Sequence, residues 1–251
     1  MTTSRVKLLN IEIDNLTRNE LLARLQKGVV ITPNADHLVK LQKDKEFYDI
    51  YQKAEFIVLD STVLFRAMKF LGTPVKEVIT GSDLFPAFYQ YHKNNEDIKI
   101  FLLGAGPGVA QTALEKINSK VGREMVVGCF SPSFGFEKRP EECNEIIKVI
   151  RQSGANVVAV GLGAPKQEKW IYASKDQLPE VDIYLAIGAT IDFEAGNVKR
   201  APAFFRRNAL EWLYRLFSEP GRLWKRYLVD DLPVFRLLYK QKRGSYVNPF
   251  S

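Results

Sequence analysis

Short apolar runs alternate with amphipathic segments along most of the chain. Six predominantly apolar runs predict buried strands, at Val29–Thr32, Phe56–Leu59, Ile98–Leu103, Met125–Cys129, Val157–Val160 and Ile183–Ile187. The sequence between them has helical periodicity, as in the helix opened by the capping box Thr17–Glu20 and in the segment Asp36–Ala54. Such alternation predicts an α/β, Rossmann-like fold with a mostly parallel sheet and helices on both of its faces.

The alternation stops near Gly196, and the sequence beyond it is basic and helical. Between Lys199 and Arg243 there are 12 Lys or Arg residues and 4 acidic residues, so this segment carries all of the net charge of the +7 chain. We therefore predict an α/β catalytic domain over residues 1–196 and a basic helical appendage over residues 197–251.

Aromatic residues accompany the arginines of this tail, at Trp212, Tyr214, Trp224 and Tyr227. Arginine beside Trp and Tyr suits a negatively charged, partly apolar surface, which can be a membrane or a phosphate carried on a lipid. Arginine also binds diphosphate bidentately, so the tail can complete an active site. For Asp230–Ser251, a membrane-facing helix and a helix packed on the domain both remain open. No apolar stretch approaches the length of a membrane span, so we expect a cytoplasmic protein on the inner face of the membrane.

Small residues follow three of the predicted strands, in the glycine turns that begin at Gly104, Gly161 and Gly188. In open α/β sheets, ligands bind outside the carboxyl ends of the strands, although glycine there also simply makes tight turns. The turn Gly104-Ala105-Gly106-Pro107-Gly108 can hold a diphosphate at a helix N-terminus. Val109 replaces the third glycine of a dinucleotide fingerprint, and no acid follows the next strand, which favours a sugar nucleotide over NAD.

Asp60 directly follows a predicted strand and is our candidate general base. The alternative is that Asp60 caps the helix beginning near Ser61. Asn34 and Asp36 can likewise cap the next helix, and we expect His37 to be a packed or surface histidine. No Asp-x-Asp pair follows a strand, so we predict no metal site and expect arginines to stabilise a leaving diphosphate.

Further motifs connect the strand ends with the tail: Thr32-Pro33-Asn34, Gly72-Thr73-Pro74, Gly81-Ser82-Asp83-Leu84, Gly161-Leu162-Gly163-Ala164-Pro165-Lys166-Gln167-Glu168, Asp192-Phe193, Ala195-Gly196, Arg200-Ala201-Pro202 and Glu211-Trp212-Leu213-Tyr214-Arg215-Leu216. Together they resemble the bacterial WecG/TagA/CpsF family of glycosyltransferases over nearly the whole chain. The resemblance implies an inverting enzyme without metal or cofactor, which moves a sugar from a UDP-sugar to a polyprenyl-diphosphate-linked sugar. The donor sugar would be of the N-acetylmannosamine type or a related hexose, the product would serve cell-surface polysaccharide synthesis, and a homo-oligomer is left open.

The resemblance also implies roles for individual residues. Asp60 would be the general base, with Thr32 and Asn34 beside the acceptor. The donor would lie against a set of residues at the strand ends: Gly104, Ala105, Gly106, Gly163, Lys166, Gln167, Gly188 and Asp192. Three tail arginines would close over the diphosphate: Arg215, Arg222 and Arg226.

The sequence departs from the family pattern at Val78, where an arginine is usual. Either Lys76 supplies the charge or the enzyme uses a different donor or acceptor. This departure is the only support for a second hypothesis, a protein that binds a nucleotide sugar or lipid without turnover. A third hypothesis, nucleic-acid binding, rests on the isoelectric point of 9.3 alone, and we predict no nucleic-acid partner because the net charge is confined to one tail. We judge the residues beyond Asp230 to lie outside the region of resemblance.

Overall fold

The computed structural model describes residues 4–202, 204–205 and 208–251, with Arg222 described by its backbone alone. Two compact units make up the chain. The first unit comprises Met1–Asn19, Thr32–Thr80 and Arg200–Ser251, and the second comprises Glu20–Ile31 and Gly81–Lys199.

The strands of the described residues are β1 (Arg5–Leu8), β2 (Ile11–Asp14), β3 (Gly28–Ile31), β4 (Phe56–Ile57), β5 (Ile100–Gly104), β6 (Val126–Phe130), β7 (Val157–Gly161) and β8 (Ile183–Ala186). Their α-helices are α1 (Arg18–Arg24), α2 (Ala35–Lys40), α3 (Lys45–Lys53), α4 (Thr62–Leu71), α5 (Gly81–Tyr91), α6 (Val109–Val121), α7 (Pro140–Ser153), α8 (Lys166–Ser174), α9 (Thr190–Ala195), α10 (Glu211–Ser218), α11 (Pro220–Lys225) and α12 (Pro233–Lys242).

The second unit holds a sheet of five strands, in the order β3-β8-β7-β5-β6. These strands pair in parallel, with Val158 in register with Phe101 on one side and with Tyr184 on the other. The central strands are apolar and buried, as expected for a parallel sheet covered by helices. Helix α6 packs on α9 and on strands β5 and β6, and α5 packs on α9 and β8. The predicted α/β, Rossmann-like fold is confirmed.

The first unit contains an antiparallel hairpin, β1–β2, that the sequence patterns did not predict. Its buried carboxylate, Asp14, accepts a hydrogen bond from Nε of Arg5 at 3.0 Å and another from the backbone N–H of Ile57 at 2.8 Å. The hairpin thereby anchors β4, which is the short strand that leads toward Asp60.

The C-terminal segment of the chain is packed into the first unit. Helix α12 lies against α2 and α4 and buries Val234 and Leu238. Its Gln241 accepts a hydrogen bond from the backbone N–H of Leu9 at 2.9 Å, and further on the hydroxyl of Tyr246 donates to Gln42 at 2.6 Å. The buried face of α12 is therefore packed on the protein, while Phe235 and Tyr239 stay more than half exposed.

Two predicted elements differ in detail from the structure. The predicted helix Asp36–Ala54 is interrupted, because the carboxylate of Asp44 accepts from the backbone N–H of Phe47 and starts a new helix, α3. The predicted strand Phe56–Leu59 keeps only its first two residues as β4. The proposed boundary between residues 196 and 197 stays a prediction, and among the described residues no helix is long and apolar enough to span a membrane.

Candidate active site

Asp60 lies just beyond β4 in the first unit and does not cap the following helix. The N-cap of α4 is Ser61, whose hydroxyl accepts from the backbone N–H of Leu64 at 3.2 Å. The capping explanation for Asp60 is therefore wrong. Its own backbone N–H donates to the carbonyl of Pro33 at 2.9 Å, which holds Asp60 beside the segment that carries Thr32 and Asn34.

The carboxylate of Asp60 has a hydroxyl neighbour. Oγ1 of Thr32, a buried residue at the end of β3, donates to Oδ2 of Asp60 at 3.4 Å. On the other side, the backbone N–H of Ile79 donates to the carbonyl of Leu59 at 2.9 Å, so the segment containing Val78 runs alongside the residues that precede Asp60. Backbone contacts on both sides thus fix the position of the half-buried Asp60, and the structure brings it together with Thr32.

Arg226 lies within a group of polar residues that includes Asn34, and we call this group the Arg226 cluster: Asn34, Asp36, Arg226 and Asp231. Nη2 of Arg226 donates to Oδ1 of Asn34 at 3.3 Å, and this same oxygen caps α2 by accepting from the backbone N–H of His37 at 3.4 Å. Asn34 therefore caps α2, which was one of the two roles considered for it, and it also contacts a tail arginine.

Two carboxylates flank the guanidinium of Arg226 at distances longer than good hydrogen bonds. Nη2 lies 3.6 Å from Oδ2 of Asp36, and Nε lies 3.9 Å from Oδ2 of Asp231. Asp36 pairs more closely with Lys40, at 2.7 Å. Arg226 is therefore held near the site by long contacts that a diphosphate could replace with bidentate hydrogen bonds.

Burial raises the pKa of Asp231 from 3.8 to about 6; Arg226 opposes that increase and Asp36 adds to it. The carboxylate of Asp231 is nearly buried, so ionising it costs solvation that its cationic neighbour only partly restores. The sequence patterns did not single out Asp231, because its position beside Arg226 depends on the fold.

His37 is a packed histidine, as expected. It is buried, its Nδ1 forms a 2.7 Å hydrogen bond with the hydroxyl of Tyr51, and its ring packs edge-on against Phe47. Burial lowers its pKa to about 3, so His37 is neutral at physiological pH. These contacts pack α2 on α3.

Two further tail arginines, Arg200 and Arg215, are not members of the Arg226 cluster. Nε of Arg215 in α10 is buried and has no hydrogen-bond partner among the described residues. The side chain of Arg222 lies outside the described residues. Nη2 of Arg200, however, lies 3.5 Å from the hydroxyl of Thr80, two residues after Val78. The structure thus places a cation near the segment that lacks the usual arginine, and the Arg-Ala-Pro motif was the available sequence signal.

In the second unit, the glycine turns at the strand ends are packed against one another. A Cβ on Gly104 would lie 2.4 Å from the carbonyl oxygen of Gly161, and a Cβ on Gly161 would lie 2.7 Å from that of Gly188. Both contacts are far shorter than van der Waals distances, so Gly104 and Gly161 are required by the close approach of neighbouring backbones. These two glycines therefore have a packing role that does not depend on a ligand.

The turn after β5 is held by a residue that sequence reasoning missed. The hydroxyl of Ser131, just after β6, lies 3.0 Å from the carbonyl of Gly106 and 3.3 Å from that of Gly104. Ala105 between them has a φ of 60°, in the left-handed region. Ser131 therefore sets how this turn presents its backbone before helix α6 begins.

Gln167 is buried at the start of α8 and connects two turns. Its Oε1 accepts from the backbone N–H of Gly188 at 3.1 Å, and its Nε2 donates to Oε1 of the fully buried Glu168 at 2.8 Å. Its own N–H donates to the carbonyl of Gly163 at 3.0 Å. The structure therefore brings Gln167, Gly163 and Gly188 together, with the Gln167 side chain engaged in holding the Gly188 turn.

The predicted donor set has two charged members, Lys166 at the start of α8 and Asp192 in α9. Lys166 forms a 2.9 Å ion pair with Glu137, which lowers the pKa of Glu137 through their hydrogen bond, and its ammonium lies 4.9 Å from the ring centre of Phe134. Asp192 is half-buried in the first turn of α9, where its backbone carbonyl accepts from Asn197 at 3.1 Å. No group of three or more His, Cys, Asp or Glu residues suited to a metal ion occurs in the described part of the chain.

A model of the glycosyl transferase WecG/TagA/CpsF family matches residues 6–248, nearly the whole chain. The chain belongs to this family. It is therefore a glycosyltransferase, of a family that acts in cell-surface polysaccharide synthesis and in general uses nucleotide-sugar donors and lipid-linked acceptors. The match extends to residue 248, so the expectation that the residues beyond Asp230 lie outside the family region was wrong.

Proposed function

We propose that this glycosyltransferase moves a hexose from a UDP-sugar to a polyprenyl-diphosphate-linked sugar, with inversion and without a metal ion. The donor sugar is of the N-acetylmannosamine type or a related hexose. The observation that carries the proposal is the placement of Asp60, which lies just beyond β4, precedes the helix N-cap Ser61 and accepts from the hydroxyl of Thr32 at 3.4 Å.

In the proposed reaction, Asp60 removes the proton from a hydroxyl of the acceptor sugar. The hydroxyl oxygen then forms a bond to the anomeric carbon of the donor sugar. The bond from that carbon to the β-phosphate oxygen breaks on the opposite face, and UDP leaves with the electron pair. One displacement inverts the anomeric configuration, and a general base within hydrogen-bond reach of the nucleophile is what it needs. Thr32 orients the Asp60 carboxylate.

Arg226 supports a diphosphate role for the tail. Its guanidinium lies next to Asn34, one of the residues implied to lie beside the acceptor, and its contacts to Asp36 and Asp231 are long. Arginine can stabilise negative charge on a diphosphate with paired hydrogen bonds, which is the task that a metal ion performs in other transferases. Arg215 and Arg222 are proposed to act with it, and Arg200 to supply the cation that Val78 does not.

We further propose that the protein lies on the inner face of the cell membrane through its tail. Apolar side chains there are at least half exposed: Phe204, Phe217, Trp224, Leu228, Val229 and Leu232. They lie among the cations of the basic segment, and this combination favours the surface of an anionic bilayer.

In the donor half of the proposal, UDP binds at the turns of the second unit. The backbone of Gly104, Ala105 and Gly106 precedes the thirteen-residue helix α6, whose first N–H groups suit a phosphate. Gln167 holds the Gly188 turn in position, and Lys166 and Asp192 complete the donor set.

The decisive experiment replaces Asp60 with Asn, which keeps the size of the side chain and cannot accept the proton. With a UDP-sugar panel and a soluble polyprenyl-diphosphate sugar, product detected by mass spectrometry should be lost with Asp60→Asn, while UDP affinity stays within several-fold. Asp49→Asn, an exposed carboxylate on α3 paired with Lys45, is the control and should keep full activity. Turnover by Asp60→Asn near that of the unmodified protein would refute the assignment of the base.

The same assay tests the absence of a metal. Activity should persist in excess EDTA, because arginines rather than a cation are proposed to bear the diphosphate charge. A strict requirement for Mg²⁺ or Mn²⁺ would refute that part of the proposal.

A further inference from the structure

The first unit contains an open cavity of about 490 Å³ on one face of α4. Val63, Arg66, Ala67 and Phe70 contribute from α4, and Leu238 and Tyr239 are among the residues that line it from the tail. The four α4 positions have the spacing i, i+3, i+4 and i+7, so they form one continuous stripe along the helix.

The wall of this cavity is mostly apolar and its aromatic side chains are unusually exposed. Phe70 is 60% exposed, Phe235 is 52% exposed and Tyr239 is 54% exposed. Contiguous exposed apolar surface of this kind on a folded domain marks a ligand or partner site more often than chance exposure does. The volume lies within the range of roughly 300–1,000 Å³ that is typical of small-molecule pockets.

Cationic groups surround this apolar wall. Arg66 lines the cavity itself. Nζ of Lys242 lies 5.2 Å from the ring centre of Phe70, and the guanidinium of Arg243 lies 5.4 Å from that of Tyr239 while its Nε donates to the Tyr239 hydroxyl at 2.9 Å. Apolar walls with a cationic rim match an amphiphile that has an apolar chain and a negative head group.

We propose that this cavity binds the isoprene units nearest the diphosphate in the lipid-linked acceptor. The inference rests on the proposed function, because it needs an acceptor carried on a polyprenyl chain. Its support beyond charge complementarity is continuity with Asp60. Helix α4 begins at Thr62, two residues after Asp60, and the lining stripe runs from Val63 in its first turn to Phe70 in its last.

The stripe spans about 10 Å along the helix axis, at about 1.5 Å per residue. A prenyl chain lying along it would lead away from Asp60 toward Phe70. Only the first part of a polyprenyl chain fits this volume, so the remainder would continue into the bilayer. The enzyme would in this way select an isoprenoid chain directly, in addition to the sugar and diphosphate.

The test uses two water-soluble acceptors with the same diphosphate-linked sugar, one on a farnesyl chain and one on a methyl group. The unmodified enzyme should have a KM for the farnesyl acceptor about tenfold or more below that for the methyl acceptor, since each buried methylene contributes about 0.8 kcal/mol. Ala67→Trp, which fills the cavity, should remove this difference by raising KM for the farnesyl acceptor alone, with kcat unchanged. Equal KM values for the two acceptors in the unmodified enzyme, or an equal effect of Ala67→Trp on both, would overturn the proposal.

A matched pair of substitutions separates the cavity from exposed aromatics in general. Phe70→Ser should raise KM for the farnesyl acceptor several-fold, whereas Tyr91→Ser, which removes a 56% exposed tyrosine of α5 outside the cavity lining, should not. Equal effects of the two variants would overturn the proposal.

Calorimetry of binding keeps this inference distinct from the proposed function. Farnesyl diphosphate should bind to the unmodified protein about tenfold more tightly than methyl diphosphate, and Ala67→Trp should abolish that preference, even if no acceptor is turned over. Lack of turnover with every acceptor would refute the proposed function alone. Displacement of farnesyl diphosphate by equal concentrations of a short-chain phosphatidylglycerol would identify a general membrane-lipid site and overturn the inference.

Discussion

The two units carry candidate residues of different kinds. In the first unit, the candidate residues are polar and charged side chains near Asn34 and Asp60, and two of their contacts are long: 3.4 Å between Thr32 and Asp60 and 3.6 Å between Arg226 and Asp36. In the second unit, the candidate residues are mainly backbone turns whose close contacts leave no space for a Cβ on Gly104. The first arrangement is suited to proton transfer and charge stabilisation, and the second to rigid presentation of backbone groups.

Because of this difference, substitutions in the two units should have different main effects, on the reaction rate in the first unit and on stability in the second. Changes at Asn34, Asp60 or Arg226 should alter rates while leaving the protein folded, because these three side chains are only partly buried. Changes in the glycine turns should alter stability first, because backbone atoms of neighbouring strands meet there.

Gly104→Ala should have the largest effect. The added Cβ would lie 2.4 Å from a backbone carbonyl, and the φ of 129° is unfavourable for alanine. We expect the free energy of unfolding to fall by about 3–5 kcal/mol in urea denaturation. Gly122→Ala is the matched control in the same unit: its φ is 79° and nothing lies within 4 Å of its Cβ, so its cost should be about 1 kcal/mol. Similar losses for the two variants would contradict the packing explanation.

Arg226→Ala should leave stability nearly unchanged and slow transfer to a soluble acceptor by about a hundredfold, the effect typical of removing one charged donor from a developing anion. Lys240→Ala, at an exposed position on α12, is the control and should affect only binding to anionic vesicles. If Arg226→Ala slowed transfer no more than Lys240→Ala in the soluble assay, the tail would act as a membrane anchor without a part in the chemistry.

Gln167→Ala should affect both the stability of the protein and its binding of the donor. It removes the acceptor for the half-buried Gly188 N–H and the Nε2 donor to the fully buried Glu168, and we expect a loss of about 2 kcal/mol of unfolding free energy. The displaced turn should also raise KM for the donor without changing KM for the acceptor. Gln111→Ala, an exposed glutamine on α6, is the control. A change in acceptor KM with Gln167→Ala would contradict its assignment to the donor side.

The smallest effect concerns the pH dependence of stability. The pKa of Asp231 is raised from 3.8 to about 6, so the folded protein binds this proton more tightly than the unfolded chain, and the resulting stability is lost as pH rises through about 6. Asp231→Asn should therefore gain stability relative to the unmodified protein as pH rises from about 4 to about 7. The surrounding charges, Arg226, Asp36, Lys40 and Asp230, set the size of that gain.

Urea denaturation at several pH values measures the difference between Asp231→Asn and the unmodified protein. Asp230 is the exposed neighbour and provides the control, because Asp230→Asn should change the pH dependence of stability much less. A difference for Asp231→Asn that does not vary with pH would contradict the burial of this carboxylate.

The sheet was predictable because its strands are continuous apolar runs, and parallel strands buried on both faces produce that pattern. The β1–β2 hairpin was not, since Arg5–Leu8 has only four residues, two of them charged, and the hairpin contains a buried Asp14 whose partners are known only from the structure. Asp60 was recognisable from its position after a strand. The sequence alone could not show that the N-cap of α4 is Ser61 and not Asp60.

The Arg226 cluster shows a second limit of sequence reasoning. The tail arginines stood out by charge and by the family motifs, yet the carboxylates that flank Arg226 come from α2 and from the segment before α12. The glycine turns show a third limit, since glycine follows a strand for the same local reason whether a ligand or a neighbouring backbone comes close.

The contact between Arg226 and Asn34 joins residues 192 positions apart, and this separation sets an order of events on the ribosome. Asn34 and Asp60 emerge early, and the contiguous stretch Gly81–Lys199 can begin to fold as it is made. Arg226 emerges only afterwards. A nascent chain that ends before residue 226 cannot form the complete Arg226 cluster. Such a truncated protein would lack its proposed diphosphate-binding cation.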